Sequence, residues 1–285
     1  MEQFNITQSV LDDIAKLPAR SRKLAIGALG TMEYKRCGED PLYWLDSSRH
    51  LMPYVYTLDP HELYTCNLCG DGVSHALQKR SVHLNIKHGL EVKGNEGTKG
   101  YFTLLNPIRP FPIHPYMPPL IDMWLSDSMS LVQKSRDVMA TWLFVALYTW
   151  DTIFHAGRQN IFQSKTASDT DELVRRAYHM YNHQPRFLKE VVKGEYFIGQ
   201  SRSGVFKLPT LNSEILGFGQ GADQVRQYHP SGIYMDEMAF QDKAFDAFCA
   251  VKPAIQNGGR FTGVSSAAPS WFYLACSDRS ELEGV

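Results

Sequence analysis

Two acidic residues, Asp236 and Glu237, close an apolar run in SGIYMDEMAF, Ser231 to Phe240. An aspartate at a strand end can hold magnesium, usually through water, and the adjacent glutamate can polarise water for attack on a phosphoryl group. Earlier in the chain, SLVQKSRDVMATWLF, Ser130 to Phe144, reads as a short apolar strand, a polar loop and an apolar helix. That is the layout of a phosphate-binding loop, with Lys134 available for the anion and Thr141 for magnesium. Later, RFTGVSS ends in the hydroxyls of Ser265 and Ser266. Taken singly, each element has a plainer reading: an Asp-Glu pair often caps a helix, and a serine pair often marks a strand-end turn. Their order along the chain is what points to one nucleotide site. In motor ATPases a polar residue on such a third strand senses the γ-phosphate.

A second constellation is Cys66-x2-Cys69-x13-His83-x4-His88. Two thiolates and two imidazoles at this spacing close a tetrahedron around zinc. The plainer reading is a chance CxxC beside surface histidines, and His75 is a competing ligand. Metal binding would fold the segment, which is too short for a core of its own. Leu77 and Leu84 are the expected core residues, and Lys79, Arg80 and Lys87 could touch phosphates.

These residues need elements to hold them. Residues 7–36 read as helical, with a second helix starting near Pro18 and ending by Gly38, Asp40 and Pro41. The Cys/His segment spans Tyr64 to Leu90, and the turn-rich GNEGTKG, Gly94 to Gly100, marks a boundary. Pro107 to Pro119 reads as an extended segment. From Leu120 onward, strands alternate with amphipathic helices. The expected pairs are strand Met129–Val132 with helix Val138–Phe154, strand Asn160–Gln163 with helix Asp169–Asn182, and strand Gly232–Met235 with helix Asp242–Ile255. A strand at Arg260–Val264 follows. Short strands near Tyr196–Ile198, Val205–Lys207 and Glu214–Gly217 suggest a meander or edge addition. The fold class expected is α/β with a mostly parallel sheet, whose ligands bind at the carboxyl ends of strands. The expected domains are 1–100, helical with the zinc segment at 64–90, and 101–285, the nucleotide-binding domain.

The totals exclude little. A net charge of -1 over 285 residues means that any nucleic-acid contact must come from a local basic patch. The start, MEQFNITQSVLDD, lacks the basic-then-apolar layout of a signal peptide. The longest apolar stretch, Ala140 to Trp150, is too short to span a bilayer. The reading is cytosolic with no membrane partner, and in a reducing compartment the CxxC pair is a metal or redox motif.

From Pro112 to Cys276 the chain resembles the ATPase domain of the large terminase subunit of tailed bacteriophages, the motor that packages DNA into a procapsid. Large terminases often carry a loop of the type K-S-R-Q-x-G-x-S-W. KSRDVMATW, Lys134 to Trp142, shares its lysine, serine, arginine, hydroxyl and tryptophan. HAGRQNIFQSKTASDTDELVRRAYHMYNHQP resembles the family's second strand and helix. GFGQGADQVRQYHPSGIYMDEMAF resembles the run into its acidic strand, and GGRFTGVSSAAPSWFYLAC its coupling motif.

The resemblance implies a P-loop NTPase fold of the RecA/ASCE kind that binds ATP and Mg2+. The loop Lys134, Ser135, Arg136, Asp137, Val138, Met139, Ala140 and Thr141 would cradle the phosphates. Asp236 and Thr141 would position magnesium, Glu237 would activate water, and Arg136 would contact phosphates in cis. Arg226 matches the position of an arginine finger acting on a neighbouring subunit; its plainer reading is a surface ion pair. Ser265 and Ser266 would couple hydrolysis to movement. The sequence departs from the pattern at Met139, where the family has glycine, and at Asp137, where it has glutamine. Met117 stands where a glutamine often reads adenine, which leaves Tyr116 for base recognition.

The implied partners are double-stranded DNA, the small terminase subunit, and the portal of the procapsid, in a homo-oligomeric ring, commonly a pentamer. The implied location is the host cytoplasm, transiently on the portal. The resemblance stops before the family's RNase H-like nuclease, so a C-terminal nuclease domain and its activity are not expected here. The alternative is a zinc-bearing DNA- or portal-docking module on a degenerate, weakly catalytic ATPase fold. A superfamily 2 helicase lacks support, because motifs of a second RecA-like domain are missing.

Overall fold

A computed structural model describes residues 8–46, 54–56, 64–73, 77–92, 97–98, 100–104, 108–136, 138–199, 203–221 and 227–277. The chain divides into two compact units, one of Met1–Pro53 with Phe111–Val285, the other Tyr54–Pro110. This differs from a division at residue 100, because the first helices belong with the sheet.

In the larger unit, α1 (Gln8–Lys16), α2 (Ala19–Glu39) and α3 (Pro41–Leu45) come first. Gly38 lies inside α2 rather than ending it, and Pro41 opens α3 under an Asp40 side-chain cap. Three long-range bonds tie these helices down. Tyr34 Oη donates to the Ile153 carbonyl at 2.6 Å, Trp44 Nε1 to Gln184 Oε1 at 2.9 Å, and Trp150 Nε1 to the Cys37 carbonyl. A Cβ at Gly30 of α2 would stand 2.5 Å from the Phe187 carbonyl oxygen, so only glycine allows that approach.

The smaller unit holds β1 (Tyr54–Tyr56), β2 (Tyr64–Cys66), β3 (Gly72–Val73), α4 (Leu77–His88), β4 (Phe102–Leu104) and β5 (Ile108–Pro110). The strands β3-β2-β4 form one antiparallel sheet, and β1 pairs with β5.

The larger unit continues with α5 (Met117–Ser126), β6 (Met129–Lys134), α6 (Ala140–Phe154), β7 (Gln159–Gln163), α7 (Ala167–Asn182) and α8 (Arg186–Val191). Then come β8 (Glu195–Ile198), β9 (Gly204–Leu208), β10 (Ser213–Phe218), β11 (Gly232–Asp236), α9 (Ala244–Gln256), β12 (Arg260–Ser266) and α10 (Trp271–Ser277). The proline-rich stretch is not extended throughout: α5 starts within it, with Pro118 and Pro119 in its first turn, where a missing N–H costs nothing.

The seven strands run in the order β6-β12-β11-β7-β10-β9-β8. The first five are parallel, and β9 and β8 add an antiparallel edge. This is the expected mostly parallel α/β sheet, with β12 separating β6 from the acidic strand β11. Every residue of β11 is buried, as a strand covered on both faces requires. Ile233 and Met235 join the core under Phe248 and Phe272. Tyr234 instead packs against Phe144 and Tyr148 of α6. Alternation therefore sends Asp236 to the α6 face. Among the described residues no helix is long and apolar enough to cross a membrane.

Candidate functional site

The carboxyl ends of β6, β11 and β12 bring the predicted residues together. The strand ladder sets their level: Asp236 pairs with Val264, which pairs with Val132, and Ser266 pairs with Lys134. Lys134 Nζ lies 2.9 Å from Glu237 Oε1, with the lysine side chain only 11% exposed. Ser266 gives Glu237 Oε2 both its backbone N–H, at 3.2 Å, and its hydroxyl, at 3.1 Å. Ser265 Oγ donates to the same oxygen at 3.3 Å and accepts the Ala239 N–H at 3.1 Å.

Asp236 is held differently. Its Oδ1 accepts from Thr141 Oγ1 at 3.1 Å and from Tyr234 Oη at 2.8 Å, while Gln241 Nε2 holds its backbone carbonyl at 2.8 Å. Burial pushes the Asp236 carboxyl above its usual pKa, against the Tyr234 hydrogen bond; the Glu237 charge adds to the rise. Burial also works to raise Glu237, but the Lys134 amine and the Ser266 donors outweigh it and hold the carboxyl below its usual value. The two adjacent acids are thus pushed apart, a pattern common where acids have separate duties.

The loop between β6 and α6 turns through Met139, at φ 51° and ψ 16°, in the left-handed region. The helix therefore starts at Ala140, not at Val138. A non-glycine residue there costs about 1–2 kcal/mol. Glu237, at φ 48°, takes the same conformation as the chain leaves β11. Ser135 and Arg136 are exposed, Val138 and Met139 half-buried, and Ala140 buried. Tyr116 Oη donates to the Val138 carbonyl, and its ring stacks on His114 with centroids 5.5 Å apart. Asp137 and Arg226 lie outside the described residues.

Beside Thr141, Asp236 and Glu237 opens a cleft of about 730 Å³, also lined by Ser164, Lys165 and Ser168. The donor set fits a nucleotide with magnesium: an amine, a threonine hydroxyl sharing an oxygen with a strand-end aspartate, and a second carboxylate one residue on. Tyr234 was missed by sequence reasoning. Its only signal is its place two residues before Asp236, on the same face of a strand. The basic residues Arg175, Arg176 and Arg186 are engaged in i,i+4 pairs with Asp171, Glu172 and Glu190.

The smaller unit gathers the other constellation. One ligand atom from each of Cys66, Cys69, His83 and His88 lies within 4.8 Å of the rest. Cys66 Sγ is 3.6 Å from His88 Nε2, and Cys69 Sγ is 3.4 Å from His83 Nε2. Tetrahedral zinc with ordinary Zn–S and Zn–N bonds separates sulfur from nitrogen by about 3.6 Å, so the four residues fit such an ion. The CxxC turn closes through Gly70 N–H to the Cys66 carbonyl, with Gly70 at φ 78°. Cys66, Val73 and Leu84 form its small core. His75 and the Leu77 and Lys79 side chains lie outside the described residues. Arg80 stacks over the Tyr64 ring at 4.4 Å, and Lys87 pairs with Asp71, so both basic groups are already engaged.

No family model matches this sequence, and no curated protein matches it. Among solved structures the chain is similar to the large terminase ATPase domain of Thermus phage P74-26, at 13% identity and TM-score 0.45, over 57% of this chain and 69% of that one. It is similar to the large terminase of bacteriophage HK97 at 16% identity and TM-score 0.48, over 61% of this chain and 38% of that one. The large terminase of a thermophilic bacteriophage, in complex with ADP, is matched at 11% identity and TM-score 0.44, over 61% of this chain and 43% of that one.

Proposed function

We propose that the chain is the ATP-hydrolysing part of a large-terminase-type motor that drives double-stranded DNA into a procapsid. The observation that carries this reading is the convergence of Lys134, Thr141, Asp236, Glu237, Ser265 and Ser266 at one rim of the sheet, in the order and roles that the sequence resemblance implies. Lys134 and the loop N–H groups bind the triphosphate, and Tyr116 meets the base. Magnesium held by Thr141 and Asp236 would supply charge neutralisation at the phosphates. Glu237 orients and deprotonates the attacking water once Lys134 turns to the nucleotide. Ser265 and Ser266, bonded to Glu237, report its state to β12. Arg136 in cis and Arg226 towards a neighbouring subunit complete the site in a ring, commonly of five. Cys66, Cys69, His83 and His88 would hold zinc, which would fold the smaller unit. The small terminase subunit and portal are the other partners, in the host cytoplasm.

Met139 favours a second reading. A strained residue in place of glycine in the phosphate loop suits a docking module with weak turnover. ATP hydrolysis measured with and without duplex DNA, for the wild type and Glu237→Gln, separates the two. DNA-stimulated turnover lost in Glu237→Gln supports the motor. Turnover that is negligible, or indifferent to Glu237, refutes it.

A further inference from the structure

Strand β7 ends beside the acidic strand and brings a hydroxyl to the nucleotide cleft. Gln163 of β7 pairs with Met235 of β11. One residue on, Ser164 therefore stands beside Asp236, about 4.8 Å away at the backbone. Asn160 and Phe162 of β7 face α6: Asn160 Nδ2 donates to Thr152 Oγ1 at 2.8 Å, and the Phe162 ring meets Tyr148 edge-on with centroids 6.0 Å apart. Alternation turns Ser164 to that same face, where Asp236 also points. The cleft of about 730 Å³ agrees, since Ser164 lines it together with Thr141 and Asp236.

Ser164 is only 4% exposed. A hydroxyl so buried normally finds a partner in the fold. Ser213 Oγ donates to the His155 carbonyl at 2.9 Å, and Ser265 Oγ to Glu237 Oε2 at 3.3 Å. The Ser164 hydroxyl makes no hydrogen bond among the described residues, and the residue opens on the cleft. Its neighbour has an opening to match. Asp236 Oδ1 is taken by Thr141 and Tyr234, while no hydrogen bond reaches Oδ2 among the described residues. Glu237 is already paired with Lys134.

An open carboxylate oxygen beside an open hydroxyl suits a hydrated cation. Magnesium gives up its waters reluctantly, so protein groups hold it partly through the waters it keeps. A serine hydroxyl can accept from such a water, and outer hydrogen bonds of this kind orient the inner ligands. We propose that Ser164 is a positioning residue for magnesium: its Oγ accepts a hydrogen bond from a water on the ion that Thr141 and Asp236 would hold. This role rests on the nucleotide reading and adds β7 to β6, β11 and β12 as a wall of that site.

Nucleotide affinity with and without magnesium tests it. A non-hydrolysable ATP analogue is titrated into the full chain by calorimetry, with added magnesium and without. In the wild type, magnesium should tighten binding. In Ser164→Ala that gain should shrink about tenfold, as loss of an outer hydrogen bond at a metal site does. Affinity without magnesium should stay at the wild-type value, because the loop after β6 meets the phosphates. Thermal unfolding without nucleotide should also be unchanged, because the hydroxyl holds nothing in the fold. A magnesium gain equal in variant and wild type overturns the role of Ser164 and leaves the nucleotide site standing. A variant that loses stability, or loses affinity equally with and without magnesium, has lost a structural group and overturns the role as well. Wild-type protein that binds no analogue overturns the nucleotide reading, and this role with it.

Discussion

Lys134 and Glu237 are 103 residues apart in sequence, yet Nζ and Oε1 lie 2.9 Å apart across the end of β12. The lysine side chain is nearly buried, so the glutamate is its main compensation. Glu237→Gln should therefore destabilise metal-free protein by about 1–2 kcal/mol at pH 7, the usual loss for a partly buried charged bond. The Glu237 carboxyl is held below its ordinary value of 4.5. Its stabilisation is present above that value and is lost as pH falls through the lower, folded value. Urea unfolding at several pH values should show the gap between wild type and variant closing towards acid. A gap that widens on acidification contradicts the pairing.

Lys134→Ala removes the amine that pairs with Glu237. ATP binding or turnover should be lost. Hydrolysis unchanged from wild type would reject the placement of the phosphate loop.

Tyr234 and Thr141 share one oxygen of Asp236. Tyr234→Phe should free that carboxylate to rotate while keeping the ring packed on Phe144. The magnesium concentration for half-maximal ATP hydrolysis should rise several-fold, with little change in rate at saturating magnesium. Stability should fall by about 1 kcal/mol. A rate loss that magnesium does not rescue would assign Tyr234 some other role.

Met139 bends the loop in the left-handed region. Met139→Gly should stabilise the protein by about 0.5–1 kcal/mol, whereas Met139→Val should destabilise it by more than that. Thermal unfolding of the pair checks the sign, and equal shifts would show that the turn carries no strain.

Purified protein should contain one zinc per chain by elemental analysis, lost in Cys66→Ser. Amide exchange in α4 should then quicken, because the ion would hold that helix to the CxxC turn. Metal-free wild type with α4 already protected would count against a structural ion.

Much of this was legible in the sequence, for identifiable reasons. β7, β11 and β12 are short apolar runs bounded by turns, and chemistry at the carboxyl ends of parallel strands follows from the fold class. Asp236, Glu237, Ser265 and Ser266 could be found at strand ends alone. The CxxC and histidine spacing likewise led to four ligand atoms in one place. Tyr234 could not be found that way, since a tyrosine inside a buried strand looks like core until its hydroxyl is seen on Asp236. Nor could the grouping of α2 with the sheet be read. It rests on Gly30 meeting Phe187 and Tyr34 meeting Ile153, contacts between residues more than a hundred positions apart.

The pairing of Lys134 with Ser266, and of Asp236 with Val264, has a mechanical corollary. Amine, hydroxyl and acid stand on three neighbouring strands, the first two on one rung and Asp236 two residues back. A slip between those strands would turn each side chain to the wrong face. Whatever work is done at this rim has to leave through the segments that follow the strands. Exchange protection in β6, β11 and β12 should stay constant through a catalytic cycle while 135–139 and 237–243 alone change theirs.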